Sequence, residues 1–235
     1  MSSSSLRAVL TGDLVHSRQQ SALNREKLSE HIKAAFRRTR RRFSDVIPHG
    51  VSIFRGDGWQ LYVDEPGRVL AVAVLFRAAL RVEASLDTRI GMALDTVEAV
   101  EAENIAESTG PAFRRSGQAL DELPDEQRMR CLLPEGVEPV FQIAADTFTD
   151  FADYIATGWT DAQAQAVALR LQLATSSESP SQRKLAAHWI PEPITQQAVS
   201  KHLKHGAWDR VQTVLARFED LAAHLQDAPA STYHD

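Results

Sequence analysis

The residues best suited to contact a partner lie within one short segment, positions 194–204. Thr195 is a residue type that caps helices by accepting a backbone N–H bond, and Val199 and Leu203 recur at a spacing that buries one helical face. Amide, hydroxyl and ammonium groups on the other face would suit base edges and phosphates in the major groove of DNA. The segment predicts the recognition helix of a helix-turn-helix that binds double-stranded DNA through Thr195, Gln196, Gln197, Ser200, Lys201 and Lys204.

The alternative is an ordinary amphipathic surface helix, and the charge of the chain bears on the choice. The formal net charge is -5, which disfavours the broad, salt-driven DNA affinity of a strongly basic protein. Between residues 181 and 210, however, five basic residues stand against two acidic ones, a local charge of +3. A basic run at residues 37–42 lies at a predicted helix C-terminus, where cations complement the helix dipole, and we interpret it as a solvated face. Contact with DNA is therefore expected to be local.

The composition is that of a cytoplasmic globular protein. The chain has 235 residues, of which 43% are hydrophobic and 24% charged, as in ordinary soluble domains. No apolar run approaches the roughly 20 residues that span a bilayer, and the first residues lack the features of a secretory signal. The single cysteine, Cys131, has no internal partner and suits a reducing compartment. We expect a cytoplasmic localisation and no membrane partner.

The first half of the chain alternates strand and helix patterns. The apolar run 6–13 predicts a buried strand that ends at Asp13, and a helical pattern follows over 24–43. Two further strands, at 51–54 and 59–63, predict a hairpin that carries Asp57 between glycines at its tip.

A helix over 67–84 and an alternating strand over 88–94 complete the order βαββαβ, which suits a ferredoxin-like or palm sheet with helices on one face. Asp13 and Asp57 would then meet at one edge of that sheet. Two carboxylates at one edge repel each other unless a cation or an arginine lies between them. Alternatively, Asp13 is only a cap or turn residue and Asp57 only a hairpin residue.

The second half has helical patterns throughout. Gly110-Pro111 opens one helix, and a longer one over 137–155 predicts a connection between domains. Thr160 predicts the cap of the next helix, and a short helix at 182–189 precedes the recognition helix. Residues 191 and 193 are prolines, which stiffen a turn about three residues longer than usual. Three tryptophans are expected to pack this region's core, namely Trp159, Trp189 and Trp208.

These patterns predict an α+β fold of two domains. A palm-like α/β domain would occupy residues 1–135, with a connecting helix over 136–158. An all-α helix-turn-helix domain would follow over 159–235.

Several segments together resemble one bacterial family. They are residues 11–18, 55–60, 89–92, 116–121, 159–160 and 198–201. In these segments the chain is similar to SatD-like proteins, and the match extends over most of its length. The usual description of that family is a regulatory protein, so the resemblance implies a regulatory role but little about mechanism.

More remotely, the first domain resembles the catalytic core of class III nucleotide cyclases and related palm domains. In these folds one carboxylate ends the first strand and another lies at the following hairpin, the places of Asp13 and Asp57. The resemblance implies that both could hold Mg²⁺, which could clamp a nucleotide triphosphate. Ser17 and Arg18 could then donate to phosphate, and Arg114 or Arg115 could neutralise charge from the other side.

Three functions remain open at this point. The leading one is a DNA-binding regulator whose first domain binds a nucleotide or Mg²⁺ as a sensory ligand. The second is an enzyme that uses Mg²⁺ for phosphoryl or nucleotidyl transfer, with the helical part as an accessory. The third is a protein-interaction module on a degenerate palm scaffold. A homodimer suits the first two, because two-fold symmetry occurs in cyclase-like cores and in helix-turn-helix operators.

Overall fold

A five-stranded mixed sheet forms the centre of the protein. The computed structural model describes residues 5–15, 22–175 and 178–227. Within these ranges the strands have the order β2-β3-β1-β4-β5, in which β1 is antiparallel to β3 and β4, and β5 is parallel to β4. The α+β fold and the predicted βαββαβ order are confirmed, and β5 extends the sheet at one edge. The strands are β1 (Arg7–Leu14), β2 (Ser52–Phe54), β3 (Gly58–Val63), β4 (Thr88–Asp95) and β5 (Met129–Leu132).

Two helices cover one face of the sheet, α1 (Ala22–Arg42) and α2 (Val69–Ala84). Most positions of α2 are buried, including every residue from Val72 to Leu80. A helix that is apolar around its whole circumference must be covered on all sides. The sheet and α1 cover α2 on the inside, and a later helix, α5 (Asp161–Leu173), packs against it from the outside.

The opposite face of the sheet is covered by α3 (Pro111–Asp121). The two helices of the predicted βαββαβ order therefore lie on one face as predicted, and α3 adds a layer on the other face. The close approach of α3 depends on Gly91 in β4, where an added Cβ would lie 2.2 Å from the carbonyl oxygen of Ser116. The hydroxyl of Ser116 also shares a 2.8 Å hydrogen bond with that of Thr11 in β1. A glycine in a strand that lets another backbone come close has no periodic signature, so the pattern gave no sign of this layer.

The edge strand β5 is covered by α4 (Pro139–Thr157), the helix predicted at 137–155. The side chain of Gln142 replaces a neighbouring strand: it accepts a hydrogen bond from the Leu133 N–H at 2.9 Å and donates to the Cys131 carbonyl at 2.8 Å. At the other end of β5, Asp153 accepts from two backbone N–H groups. These side chains satisfy backbone groups that an open edge would leave to a foreign strand.

Four helices make up the rest of the described chain. The predicted cap of α5 is confirmed, because Thr160 and Gln163 form a reciprocal capping box. The helices that follow are α6 (Gln182–Ala187), α7 (Gln196–His205) and α8 (Trp208–Asp227). Predicted core residues Trp159, Trp189 and Trp208 are buried. No described helix has the length and apolarity that crossing a membrane requires.

One continuous apolar core joins the sheet to the helical second half. It runs from Leu10 in β1 through α2 and α5 to Phe218 in α8. A hydrogen bond from the Arg42 Nε to the Leu171 carbonyl, 3.0 Å long, links α1 to α5 on the surface. The sheet and the helical half therefore pack directly against each other; the domain boundaries at 135 and 158 stay a prediction.

Candidate functional site

The two predicted acidic segments meet at one end of the sheet. In the register of the strands, Asp13 lies opposite Gly58 of β3 on one side and Arg89 of β4 on the other. Asp57 directly precedes Gly58, and its carbonyl accepts a hydrogen bond from the Leu14 N–H at 3.3 Å. The structure therefore brings Asp13 and Asp57 to the same rim.

A buried hydrogen-bond chain fixes the backbone of Asp13. The Thr88 hydroxyl donates to the Asp13 carbonyl at 2.6 Å and accepts from the Trp59 indole N–H at 3.0 Å. The preceding residue must be glycine, because a Cβ on Gly12 would lie 2.4 Å from the Trp59 ring. Since Thr88 and Trp59 are completely buried, this end of β1 has little freedom to move.

A cavity of about 650 Å³ opens at this rim. Its size lies within the range of small-molecule sites. Among the described residues, four carboxylates and three guanidinium groups line it, so the charge of this part of the lining is close to balanced. These residues are Asp13, Asp57, Asp121 and Asp125 together with Arg55, Arg89 and Arg128.

The hairpin delivers one of these arginines in an unusual backbone conformation. Arg55 has φ 56°, and Gly56 has φ 90°. The left-handed region is costly for a residue with a Cβ, and such strain is most often kept where a turn or a site requires it. The sequence pattern identified the hairpin and the place of Asp57, but it did not single out Arg55 as a lining residue.

Arg89 lies between the carboxylate rim and the end of α3. Its Nη1 is 3.8 Å from Asp13 Oδ2, and its Nη2 donates to the Leu120 carbonyl at 2.9 Å. The positive charge of Arg89 thus lies beside Asp13. An arginine in this place reduces the repulsion between the carboxylates of Asp13 and Asp57. Sequence reasoning missed Arg89, although it lies in the antiparallel strand directly opposite Asp13; only the register shows that pairing.

Arg128 closes the cavity from the loop before β5. Its Nη1 donates to the carbonyl of Gln127 at 2.9 Å and also to that of Asp125. Its backbone N–H donates to Asp153 of α4 at 2.6 Å. This residue too was missed, because an arginine in a loop carries no periodic signal.

A second group of ionic side chains lies behind the rim, with Arg77 and Asp153 buried and Asp87 half-buried. Arg77 donates to both carboxylate oxygens of Asp87, at 2.9 and 2.8 Å, and to Asp153 at 2.6 Å. Burial lowers the pKa of Arg77, but the hydrogen bonds and charges of Asp87 and Asp153 outweigh it and hold that pKa above its usual value. The backbone of Asp87 accepts from the Val15 N–H, so this group supports the chain as it leaves β1.

Two of the predicted phosphate-binding residues, Arg114 and Arg115, are not brought to the rim. Arg114 lies 4.0 Å from Glu98, and Arg115 lies 3.5 Å from Asp95 and 2.9 Å from Glu135. Asp95 is six register positions from Arg89 along β4, roughly 20 Å at the rise of a strand. Both arginines therefore occupy the opposite end of the sheet, since α3 begins there. Ser17 and Arg18 lie outside the described residues.

The predicted recognition helix, α7, is anchored by Val199 and Leu203, which are buried. Thr195 caps it by accepting from the Ala198 N–H at 3.2 Å. The connection from α6 covers residues 188–195. The other predicted DNA-contacting side chains face outward: Gln196, Gln197, Lys201 and Lys204 are exposed, and Ser200 is half-buried.

The rim offers oxygen ligands of the kind that Mg²⁺ prefers. No group of three or more His, Cys, Asp or Glu side chains that could hold a metal occurs among the described residues. Mg²⁺ does not need one, because it is commonly held by one or two carboxylates, several waters and the phosphates of a substrate. Asp13 and Asp57 fit that donor set.

Comparison with protein families identifies the chain. The model of the SatD family matches residues 8–212. The chain belongs to the SatD family. The membership expected from the sequence segments is thereby confirmed, and the match extends from β1 into α8. A comparison with curated proteins gave no match.

Two solved structures have a similar course of the chain over about half of this SatD-family protein. One is the crystal structure of the guanylyl cyclase Cya2, with 18% identity and a TM-score of 0.40, covering 54% of this chain and 74% of that one. The other is a bacterial light-regulated adenylyl cyclase, with 12% identity and a TM-score of 0.36, covering 54% and 75%.

Proposed function

We propose that this protein is a DNA-binding regulator whose sheet-end cavity binds a nucleotide polyphosphate together with Mg²⁺. One observation carries the proposal: Asp13 and Asp57 share a cavity of about 650 Å³ with three arginines. Carboxylates hold the cation, and guanidinium groups bind phosphate oxygens through paired N–H donors.

The charge balance of the cavity predicts that a nucleotide binds only together with a cation. In the described part of the lining, four carboxylates against three guanidinium groups leave a slightly negative charge, which repels a polyphosphate. A Mg²⁺ ion held by Asp13 and Asp57 would reverse the sign of that charge. Nucleotide binding should therefore require the cation, whereas a purely arginine-based phosphate site would not.

The test is isothermal titration of the full chain with ATP and with GTP, in Mg²⁺ and in EDTA. We expect binding only with Mg²⁺, and Asp57→Asn should weaken it by roughly tenfold or more, about 1.4 kcal/mol. The matched control is Asp45→Asn, which neutralises an exposed aspartate outside the cavity. Equal binding in EDTA, or equal loss in both variants, would exclude the proposed site.

The DNA-binding part of the proposal is supported by the exposed face of α7. Lys201 and Lys204 make no ion pair within the described ranges, nor do Arg183, Lys184 and Arg210 around them. Cations that are not neutralised internally remain available to phosphates. The neighbouring glutamines carry amide groups that can read adenine in the major groove.

A continuous set of contacts joins the cavity to α7. Arg128 lines the cavity and donates through its backbone to Asp153 of α4. Just after α4, the Trp159 indole N–H donates to the Gly206 carbonyl at the end of α7 at 3.0 Å. A ligand that shifts Arg128 has this route to the DNA-binding face, provided that it binds the two arrangements with different affinity.

DNA binding is tested by selecting genomic fragments with the purified protein and measuring affinity against salt. Lys201→Ala/Lys204→Ala should reduce the slope of log affinity against log salt by roughly two. The matched control, Arg37→Ala/Arg41→Ala, removes two exposed charges from the basic run of α1. If only this control loses affinity, the DNA surface is α1; if no fragment binds in a salt-dependent way, the helical half serves a protein partner.

A second candidate function is phosphoryl or nucleotidyl transfer, favoured by the same two carboxylates at one rim. Mg²⁺ would supply charge neutralisation at the phosphates. The arginines would bind and orient the phosphate chain, and Thr88 would hold the Asp13 backbone in place. Incubation with labelled ATP or GTP and Mg²⁺ separates the two functions. A product that disappears in Asp57→Asn establishes an enzyme, whereas binding without product supports a sensor.

A further inference from the structure

The outward side of α4 carries apolar side chains where a surface helix normally carries polar ones. Four of the large exposed hydrophobic residues of the described chain lie on this helix: Val140 at 59%, Ile143 at 63%, Phe151 at 44% and Tyr154 at 82% exposure. With Thr147, which is also exposed, they form what we name the α4 stripe.

Helical geometry shows that the stripe is a single ridge. At about 100° per residue, its five members lie within roughly 80° of each other around the helix axis. The buried residues of α4, among them Ala145, Thr149 and Ala156, centre on the opposite side. The helix is therefore packed on its inner face against the protein and bears a second apolar face toward solvent. An amphipathic surface helix has one such face, and a second indicates a partner.

The spacing of the stripe is symmetric in sequence. From Val140 to Tyr154 the intervals are three, four, four and three residues, so Thr147 is the midpoint. When two such helices lie antiparallel across a two-fold axis at Thr147, Val140 meets the partner copy's Tyr154 and Ile143 meets its Phe151. Each contact joins a smaller side chain to an aromatic one, as interdigitated packing requires. A two-fold interface needs this self-complementarity.

We propose that two copies of this chain associate through antiparallel contact of their α4 stripes. The stripe is roughly 21 Å long at 1.5 Å per residue. Its four hydrophobic residues, two of them aromatic, would form the apolar centre of an interface that needs about 800 Å² from each partner. Asp146 and Asp150 flank the ridge on one side, where the two copies would bring like charges together. The dimer should therefore become tighter, not weaker, as salt is added.

Sedimentation equilibrium of the full chain tests the proposal. Ile143→Lys/Phe151→Lys should raise the dimer dissociation constant by roughly thirtyfold or more, because it places charges in the centre of the contact. Ile190→Lys is the control, since it puts the same charge at an exposed isoleucine away from α4. Circular dichroism checks that each variant is folded. A wild-type monomer at all concentrations, or a dimer that the double variant leaves intact, overturns the proposal.

Cysteine cross-linking tests the orientation. Thr147→Cys should form a disulfide between copies, because the two-fold axis places the two side chains face to face. Val140→Cys alone should not, since its copy would be roughly 21 Å away along the pair, whereas a mixture of Val140→Cys and Tyr154→Cys should. The native Cys131 is buried and does not compete. If Val140→Cys cross-links by itself as readily as Thr147→Cys, the helices are parallel and the proposed interface is wrong.

Discussion

Arg77 and Arg89 each pair with an aspartate near the same end of the sheet, but in different surroundings. Arg77 is 2% exposed and bonds to two carboxylates with every distance below 3 Å. Arg89 is 27% exposed, and its nearest approach to Asp13 is 3.8 Å, too long for a hydrogen bond. In the first group the guanidinium of Arg77 is bonded to both carboxylates, which is typical of an ion-pair group that stabilises the fold. The second pair is looser and lines a cavity large enough for a ligand.

Removing the buried cation should have the largest effect on stability. Arg77→Met leaves the buried carboxylate of Asp153 and the half-buried carboxylate of Asp87 without their cation. The free energy of unfolding should fall by about 3–5 kcal/mol. Urea denaturation followed by circular dichroism measures it. A loss below about 1 kcal/mol would mean that the group behaves like a surface pair and that the contrast with Arg89 is wrong.

A change at Thr88, which lies between the two groups, should have the second-largest effect on the free energy of unfolding. Thr88→Val removes the hydroxyl that joins the Trp59 indole to the Asp13 carbonyl and leaves both buried groups without that bond. We expect a loss of about 1–3 kcal/mol in the free energy of unfolding. Thr88→Ser keeps the hydroxyl and serves as the control. If Ser and Val variants are equally destabilised, the methyl group and not the hydrogen bond holds the strand end.

The open pair should matter little for stability. Asp13→Asn and Arg89→Gln should each change the free energy of unfolding by less than about 1 kcal/mol, because partly exposed pairs contribute little. Under the proposed function, the same variants should weaken binding of Mg²⁺-ATP or Mg²⁺-GTP in calorimetry. A strong destabilisation without any change in binding would make this pair structural, like the buried one.

A third pair, Arg115 with Asp95, lies at the other end of the sheet and should show the smallest effect. Burial raises the pKa of Asp95, although the Thr96 N–H and Arg115 lower it. A carboxyl with a raised pKa in the folded state ionises first in the unfolded chain. The wild type should therefore lose stability relative to Asp95→Asn as the pH rises above 3.8, the ordinary pKa of an aspartate. Urea midpoints of both proteins across the acidic range measure this; a difference that grows in the opposite direction would exclude it.

Local patterns in the sequence were enough for much of this protein. The βαββαβ order, the hairpin that carries Asp57, the helix cap at Thr160 and the family were all predicted correctly. These features depend on the period of apolar residues, on turn-forming glycines and on cap residues, all of which act over a few positions. The same reasoning located α7 and its exposed face, while its role in DNA binding stays a prediction.

Only the tertiary structure decided which charged residues share a site. The placement of Arg89 and Arg128 at the rim, and of Arg114 and Arg115 at the opposite end, follows from strand register and from the layer that α3 forms. That layer depends on the close approach of α3 to Gly91, and no periodic pattern in the sequence predicts this approach. Arginines are compatible with almost any exposed position, so their partners depend on packing between segments far apart in the chain. The sequence by itself determined the elements and the acidic rim; the three-dimensional packing determined the cations that complete it.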